Sequence, residues 1–241
     1  MVQKRTKIAF VALLSGMLFQ GCAGVEIPQE LIDAALATTE AQQGDRTTAG
    51  LREALEVATG RAVDQTSRAG GFSADDLIRI RLPEELDTAT RVLRAAGFGG
   101  QIDNLEGTMN LAAERAAAEA TPIFVDAVRG LTFQDAQQIL TGGDTAATDY
   151  FRGRTESNLV ARFAPEVQEA MRSVGLYREY ESILGTYNSL PFTDKPNLDL
   201  ADYVTDRTTD GLFEVLGREE KRIREDPVAR TTELLREVFG N

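Results

Sequence analysis

From about residue 45 to residue 239, apolar side chains recur at three- and four-residue spacing, and glycine or proline interrupts the pattern where each run ends. That spacing puts the apolar residues of each run on one side of an α-helix. Such a face is stable only when buried against others like it, so the pattern calls for helices packed around a shared core. Runs rich in β-branched and aromatic residues are few. The expected fold class is all-α: a compact, bundle-like domain of about eight to ten helices with short connections.

Residues 29–43 read as a short helix or a tether. Thr48 can cap a helix over about 49–66, with Leu51, Leu55, Ala58, Ala62 and Val63 on one face and Gly70-Gly71 at its end. Residues 72–83 read as a loop. Within it Ile78-Arg79-Ile80-Arg81-Leu82 alternates as an extended connector, because no partner strand is visible. Pro83 opens a helix over about 84–96, and residues 101–120 carry the stripe Ile102, Leu105, Met109, Ala112, Ala113 and Ala116. Pro122 begins a short helix to Arg129, and Thr132 caps another that stops at Gly142-Gly143. Asp144 starts a long helical region that Pro165 should divide and Gly175 should close. Leu176–Leu190, Leu200–Glu225 and a last helix from Asp226-Pro227 to Phe239 complete the pattern.

The N-terminus has a different character. Lys4, Arg5 and Lys7 precede the apolar run Ile8–Phe19, and no acid interrupts it. A basic start, a short apolar run and a small residue before a cut mark a secretory signal. The run is too short to span a bilayer, which takes about 20 apolar residues. Phe19-Gln20-Gly21-Cys22 resembles the bacterial lipobox, with Phe19 and Gln20 departing from its usual Leu and small residue. Cys22 is the only cysteine of the 241-residue chain. An exported unpaired thiol is a liability that acylation removes. The expected organisation is therefore a signal peptide over 1–21, a lipidated N-terminus over 22–44, and a single helical domain over 45–240. Ala23, in place of the Asp that commonly signals inner-membrane retention, favours the outer membrane, facing the periplasm.

Loss of residues 1–21 removes three basic side chains and no acidic one, leaving 23 basic against 38 acidic and a net charge of −15. Nucleic acid needs a basic face, so it is not an expected partner. Histidine is absent from the whole chain. Ser-His-Asp and Cys-His nucleophiles, histidine metal ligands and the usual neutral-pH base go with it. No cysteine is left for zinc or redox work. No cofactor or metal is implied.

The most distinctive stretch is Thr141-Gly142-Gly143-Asp144-Thr145-Ala146-Ala147-Thr148-Asp149-Tyr150-Phe151-Arg152. A glycine pair ahead of a hydroxyl-rich helix start could present free N–H groups to a small anion or carboxylate, with Arg152 and Arg154 adding charge. The candidate ligand-binding residues are Gly142, Gly143, Asp144, Thr145, Thr148, Asp149, Tyr150 and Arg152. The same residues also read as a plain helix–helix turn capped by Asp144 or Thr145. Asp194, Asn197, Asp199 and Asp202 offer oxygens for Ca²⁺, but not at EF-hand spacing, and a cap at Asp199 explains them equally. Glu179/Glu181 and Glu219/Glu220 read as solvated helix faces. Tyr177, Tyr180, Tyr187 and Phe192 sit at the spacing of a core or a groove.

Several stretches then resemble one bacterial family, the domain of unknown function 4197. These are Ile139 through Phe151, Pro122-Ile123-Phe124-Val125-Asp126-Ala127, Tyr187-Asn188-Ser189-Leu190-Pro191-Phe192, Asp210-Gly211-Leu212-Phe213 and Ile223 through Thr232. The resemblance implies a Gram-negative envelope lipoprotein with a helical domain, and no activity, ligand or catalytic residue. The functional expectation is a non-enzymatic envelope lipoprotein, tethered to the membrane through Cys22, that binds a protein partner or a small apolar or anionic ligand. The alternatives are a carboxylate hydrolase, with Asp144 and Asp149 as first candidates, and a purely structural spacer.

Overall fold

A computed structural model describes residues 29–173, 180, 185, 199–230 and 236. The signal run, Cys22, Tyr177, Tyr187, Phe192, Glu179, Glu181, Asp194, Asn197 and most of the expected last helix lie outside the described residues. The chain divides into two units, Met1–Gln42 and Gln43–Asn241. The first contributes the beginning of helix α1; the second holds the core and the candidate site.

The described residues form seven α-helices and three 3₁₀ turns, with no strand among them. The helices are α1 (Gln29–Ser67), α2 (Asp87–Ala95), α3 (Gly99–Ala117), α4 (Thr121–Arg129), α5 (Phe133–Thr141), α6 (Ala146–Ser173) and α7 (Leu200–Glu225). The 3₁₀ turns are Glu84–Leu86, Ala118–Ala120 and Pro227–Ala229. The all-α class stands. None of the described helices is long and apolar enough to cross a membrane.

Helices α3, α6 and α7 make the centre, each packed on the other two. The α3 stripe Ile102, Leu105, Met109, Ala112, Ala113 and Ala116 is buried throughout. Its alanines let α6 and α7 approach closely. Phe124 of α4 ties them together at one end. Its ring meets Phe151 of α6 edge-on at 5.6 Å and Phe213 of α7 at 6.2 Å.

Local signals set several boundaries. Thr132 caps α5 in a reciprocal box with Asp135, and Asp199 caps α7 by accepting from the Ala201 and Asp202 amides at 2.9 and 3.2 Å. Two expectations are corrected. Thr48 does not start a helix: α1 is already helical there, and the Thr48 hydroxyl donates to the Gly44 carbonyl one turn back. Pro165 does not divide α6. It sits on the exposed side, while Phe163 and Val167 hold the helix down from the buried side.

The extended connector 79–83 has no partner strand among the described residues, yet side chains of α3 satisfy several of its backbone groups. Asn110 of α3 both accepts from the Ile80 amide (2.9 Å) and donates to the Ile80 carbonyl (2.7 Å), as a strand neighbour would. One turn away on each side, Glu106 accepts from the Leu82 amide and Glu114 from the Phe72 and Ser73 amides. Three polar side chains spaced four apart on one helix face thus stand in for a strand. The segment they hold delivers Phe72 onto α7, where a Cβ on Gly211 would come within 2.6 Å of the ring.

Candidate functional site

The turn between α5 and α6 brings Asp144, Thr145, Thr148, Asp149 and Arg152 to one wall of an open groove of about 580 Å³. Helix α7 forms the opposite wall with Arg207, Asp210, Glu214, Gly217, Arg218 and Lys221, and Leu77 and Ile78 close one side. The volume is that of a small-molecule site. Leu77 is 68% exposed at the rim.

The remaining candidates are placed elsewhere. Tyr150 turns away into a second recess of about 330 Å³, with Ile123, Asp126, Ala127, Gly130, Arg154 and Asn158. Its hydroxyl lies 3.5 Å from Asp135, and the Arg154 guanidinium sits 5.4 Å from its ring. Burial first, then the Asp135 carboxylate, pushes the pKa of this phenol above its usual range. Phe151 is core. Three consecutive residues therefore face three directions, as a helix requires.

The glycines are turn residues, and only one has a steric duty. A Cβ on Gly142 would fall 2.5 Å from the Ala146 Cβ and 2.9 Å from the Gln138 carbonyl, whereas one on Gly143 would meet nothing within 4 Å. Gly142→Ala is expected to destabilise the domain by about 1–3 kcal/mol. Gly143→Ala should leave the thermal midpoint within a degree or so of wild type. Paired melting curves read the difference.

The expected anion site at the start of α6 is not available. Its N–H groups are taken by a carboxylate from far along the chain: Glu220 of α7 accepts from the Ala147 amide (3.0 Å), the Thr148 amide (2.8 Å) and the Thr148 hydroxyl (2.7 Å). Thr145 stands at the N-cap position, its carbonyl accepting from the Asp149 amide at 2.8 Å, but neither its hydroxyl nor the Asp144 carboxylate caps the helix amides, and the hydroxyl donates instead to the Asp149 carboxylate at 3.1 Å. Arg224 holds Glu220 through two contacts of 3.0 and 2.8 Å and reaches the Ile139 carbonyl at the end of α5. Glu219 is buried too, against Arg222 and Arg61. The reading of Glu219/Glu220 as a solvated face is thus wrong. Spacing alone cannot separate a wet acid from one that a distant helix end desolvates.

Among the groove's charges, Arg152 lies 4.4 Å over the Phe213 ring and bonds to Asp210 and Glu156 at 3.0 and 2.8 Å. Arg218 bonds to Asp75 at 2.7 Å. Burial pushes the Asp75 carboxyl up. The Arg218 hydrogen bond, the Leu77 amide, the Arg218 charge and Gln65 together outweigh it and hold Asp75 below the usual carboxylate range. Its ionised form therefore stabilises the fold above the unfolded-state carboxyl value, and that contribution is lost as pH falls through the depressed folded value. Asp75→Asn is expected to flatten the acid limb of a plot of thermal midpoint against pH.

Asp199 and Asp202, the described part of the calcium candidate, serve the start of α7, where Asp199 is the cap. Among the described residues no group of three acids converges as a metal site would need.

The fold and groove together define a small helical domain with an open, charged cleft beside a buried polar clamp. The chain belongs to the family described as protein of unknown function (DUF4197), which matches residues 41–240. No curated protein and no solved structure matches it.

Proposed function

We propose that the chain is an exported, lipid-anchored binding protein of the cell envelope with no catalytic role, and that the α6–α7 groove is where it takes its ligand or partner. The observation that carries this reading is the groove itself. Five of the eight residues singled out by sequence meet on one wall of a cleft of ligand size. The N-terminal pattern ending in Gly21-Cys22 supplies export and anchoring, with the domain facing the periplasm from the outer membrane. Binding is favoured over hydrolysis because Asp144 and Asp149 are both exposed. A carboxyl that works as a general acid is held in a dry site instead.

Two measurements test the reading. Radiolabelled palmitate is expected to enter the wild-type protein and not Cys22→Ala, which should move from the envelope to the soluble fraction. A photo-crosslinking amino acid at position 77, on the groove rim, should capture a reproducible adduct in living cells, and Thr145→Trp, which fills part of the groove without changing its charge, should abolish it. Palmitate-free protein refutes the anchor. No adduct, or one indifferent to Thr145→Trp, refutes the groove.

A further inference from the structure

Resting on the groove as a binding site, we infer that its ligand is cationic: a linear chain carrying several ammonium groups on an aliphatic body, of the polyamine class. The charges of the cleft point that way. Four cations and four carboxylates line it. Every cation is already engaged. Arg152 meets Asp210 and Glu156, Arg218 meets Asp75, and Arg207 and Lys221 lie 3.9 Å from Asp210 and Glu225. Among the described residues, Asp210 alone of the four carboxylates has a charged partner. Asp144 and Glu214 have no side-chain partner there at all, and Asp149 has only the Thr145 hydroxyl.

Three of the acids that balance the lining cations, Asp75, Glu156 and Glu225, lie outside the lining itself. The cleft with its partners therefore carries an excess of three negative charges. The Ala147 and Thr148 amides, the anion donors at the start of α6, already serve Glu220.

Exposed acids alone would be an ordinary solvated face. Here they line a cavity with a hydrocarbon side, formed by the exposed Leu77 and by Ile78. Its inner wall already seats one cation, the Arg152 guanidinium over Phe213. Among the described residues, the three carboxylates that meet no cation also do not converge as a metal cage would. They stand apart on two walls of the groove, which suits a ligand whose charges are spread along a flexible apolar chain rather than held at one point. The net charge of −12 over the whole chain draws cations toward it from a distance.

Spermidine titrated into the full chain in a calorimeter is the direct probe, with Mg²⁺ and glutarate as comparisons. The expected result is saturable spermidine binding that weakens as salt rises. The triple variant Asp144→Asn/Asp149→Asn/Glu214→Gln should weaken it about tenfold or more. These are surface amides of nearly the same shape, so circular dichroism and the thermal midpoint should not move. Arg207→Ala/Lys221→Ala should bind at least as tightly as wild type. Spermidine binding equally well to the triple variant, or Mg²⁺ matching spermidine on a charge-for-charge basis, overturns the inference. So does glutarate binding that is lost in Arg207→Ala/Lys221→Ala, although that result would keep the groove as a ligand site. Silence from all three probes together with no crosslink at position 77 would remove the groove reading as well.

Discussion

Glu220→Ala is expected to lower the thermal midpoint by roughly 10 °C, the largest effect of any single polar substitution in the domain. Glu220 is 6% exposed and takes five hydrogen bonds, from the Ala147 and Thr148 amides, the Thr148 hydroxyl and the Arg224 guanidinium. Removing it takes the carboxylate away from a guanidinium whose side chain is 16% exposed and uncaps the start of a 28-residue helix. Breaking a buried ion pair from one side costs about 3–5 kcal/mol, and each kcal/mol moves the midpoint of a domain this size by about 2–4 °C. The double variant Glu220→Ala/Arg224→Leu should recover part of the loss, because a half-removed ion pair is then replaced by an apolar side chain. If Glu220→Ala melts within about 2 °C of wild type, the clamp is not what joins α5, α6 and α7.

Phe124→Ala should cost a similar amount by a different mechanism. Its ring is 1% exposed and bridges α4 to both Phe151 and Phe213. Emptying that site removes the transfer free energy of the side chain and leaves a cavity that three helices cannot easily close, about 3–5 kcal/mol in all. Phe124→Leu keeps most of the volume and loses the edge-to-face contacts, so it should cost less than half as much. Urea midpoints at unchanged slope would report this as stability alone. The pair also separates two contributions near the start of α6, the ring packing and the cap. Phe124→Ala leaves the α6 cap bonded, so α6 amides next to Glu220 should keep their hydrogen-exchange protection relative to the global value.

How much of the fold is legible in the sequence depends on the range of the interaction involved. The α3 stripe from Ile102 to Ala116 is legible because periodicity alone sets which face of a helix is apolar. The caps at Thr132 and Asp199 are legible because the acceptor and the amides it serves lie within three residues. Thr48 misleads. A hydroxyl that can cap a helix start can equally back-bond within a helix, and the helical chain upstream decides between them. Pro165 misleads because a local breaker signal, about 3 kcal/mol against helix, is outweighed by packing of Phe163 and Val167 on either side of it. The candidate site is half legible. Asp144 to Arg152 are neighbours in sequence, but Arg207, Arg218, Lys221 and Leu77 arrive from other elements.

The order of residues along the chain determined the helical class, the apolar faces and the short-range caps, because each rests on groups within a turn or two of one another. Only the folded arrangement decided that Glu220, 72 and 73 residues from the amides it serves, would become the cap of α6 and lose its water. It likewise decided that the cations of the groove would pair with acids while, among the described residues, three of its carboxylates met no cation. The sign of a site is set by which charges pair across helices, and pairing at such separations is a property of packing, not of spacing.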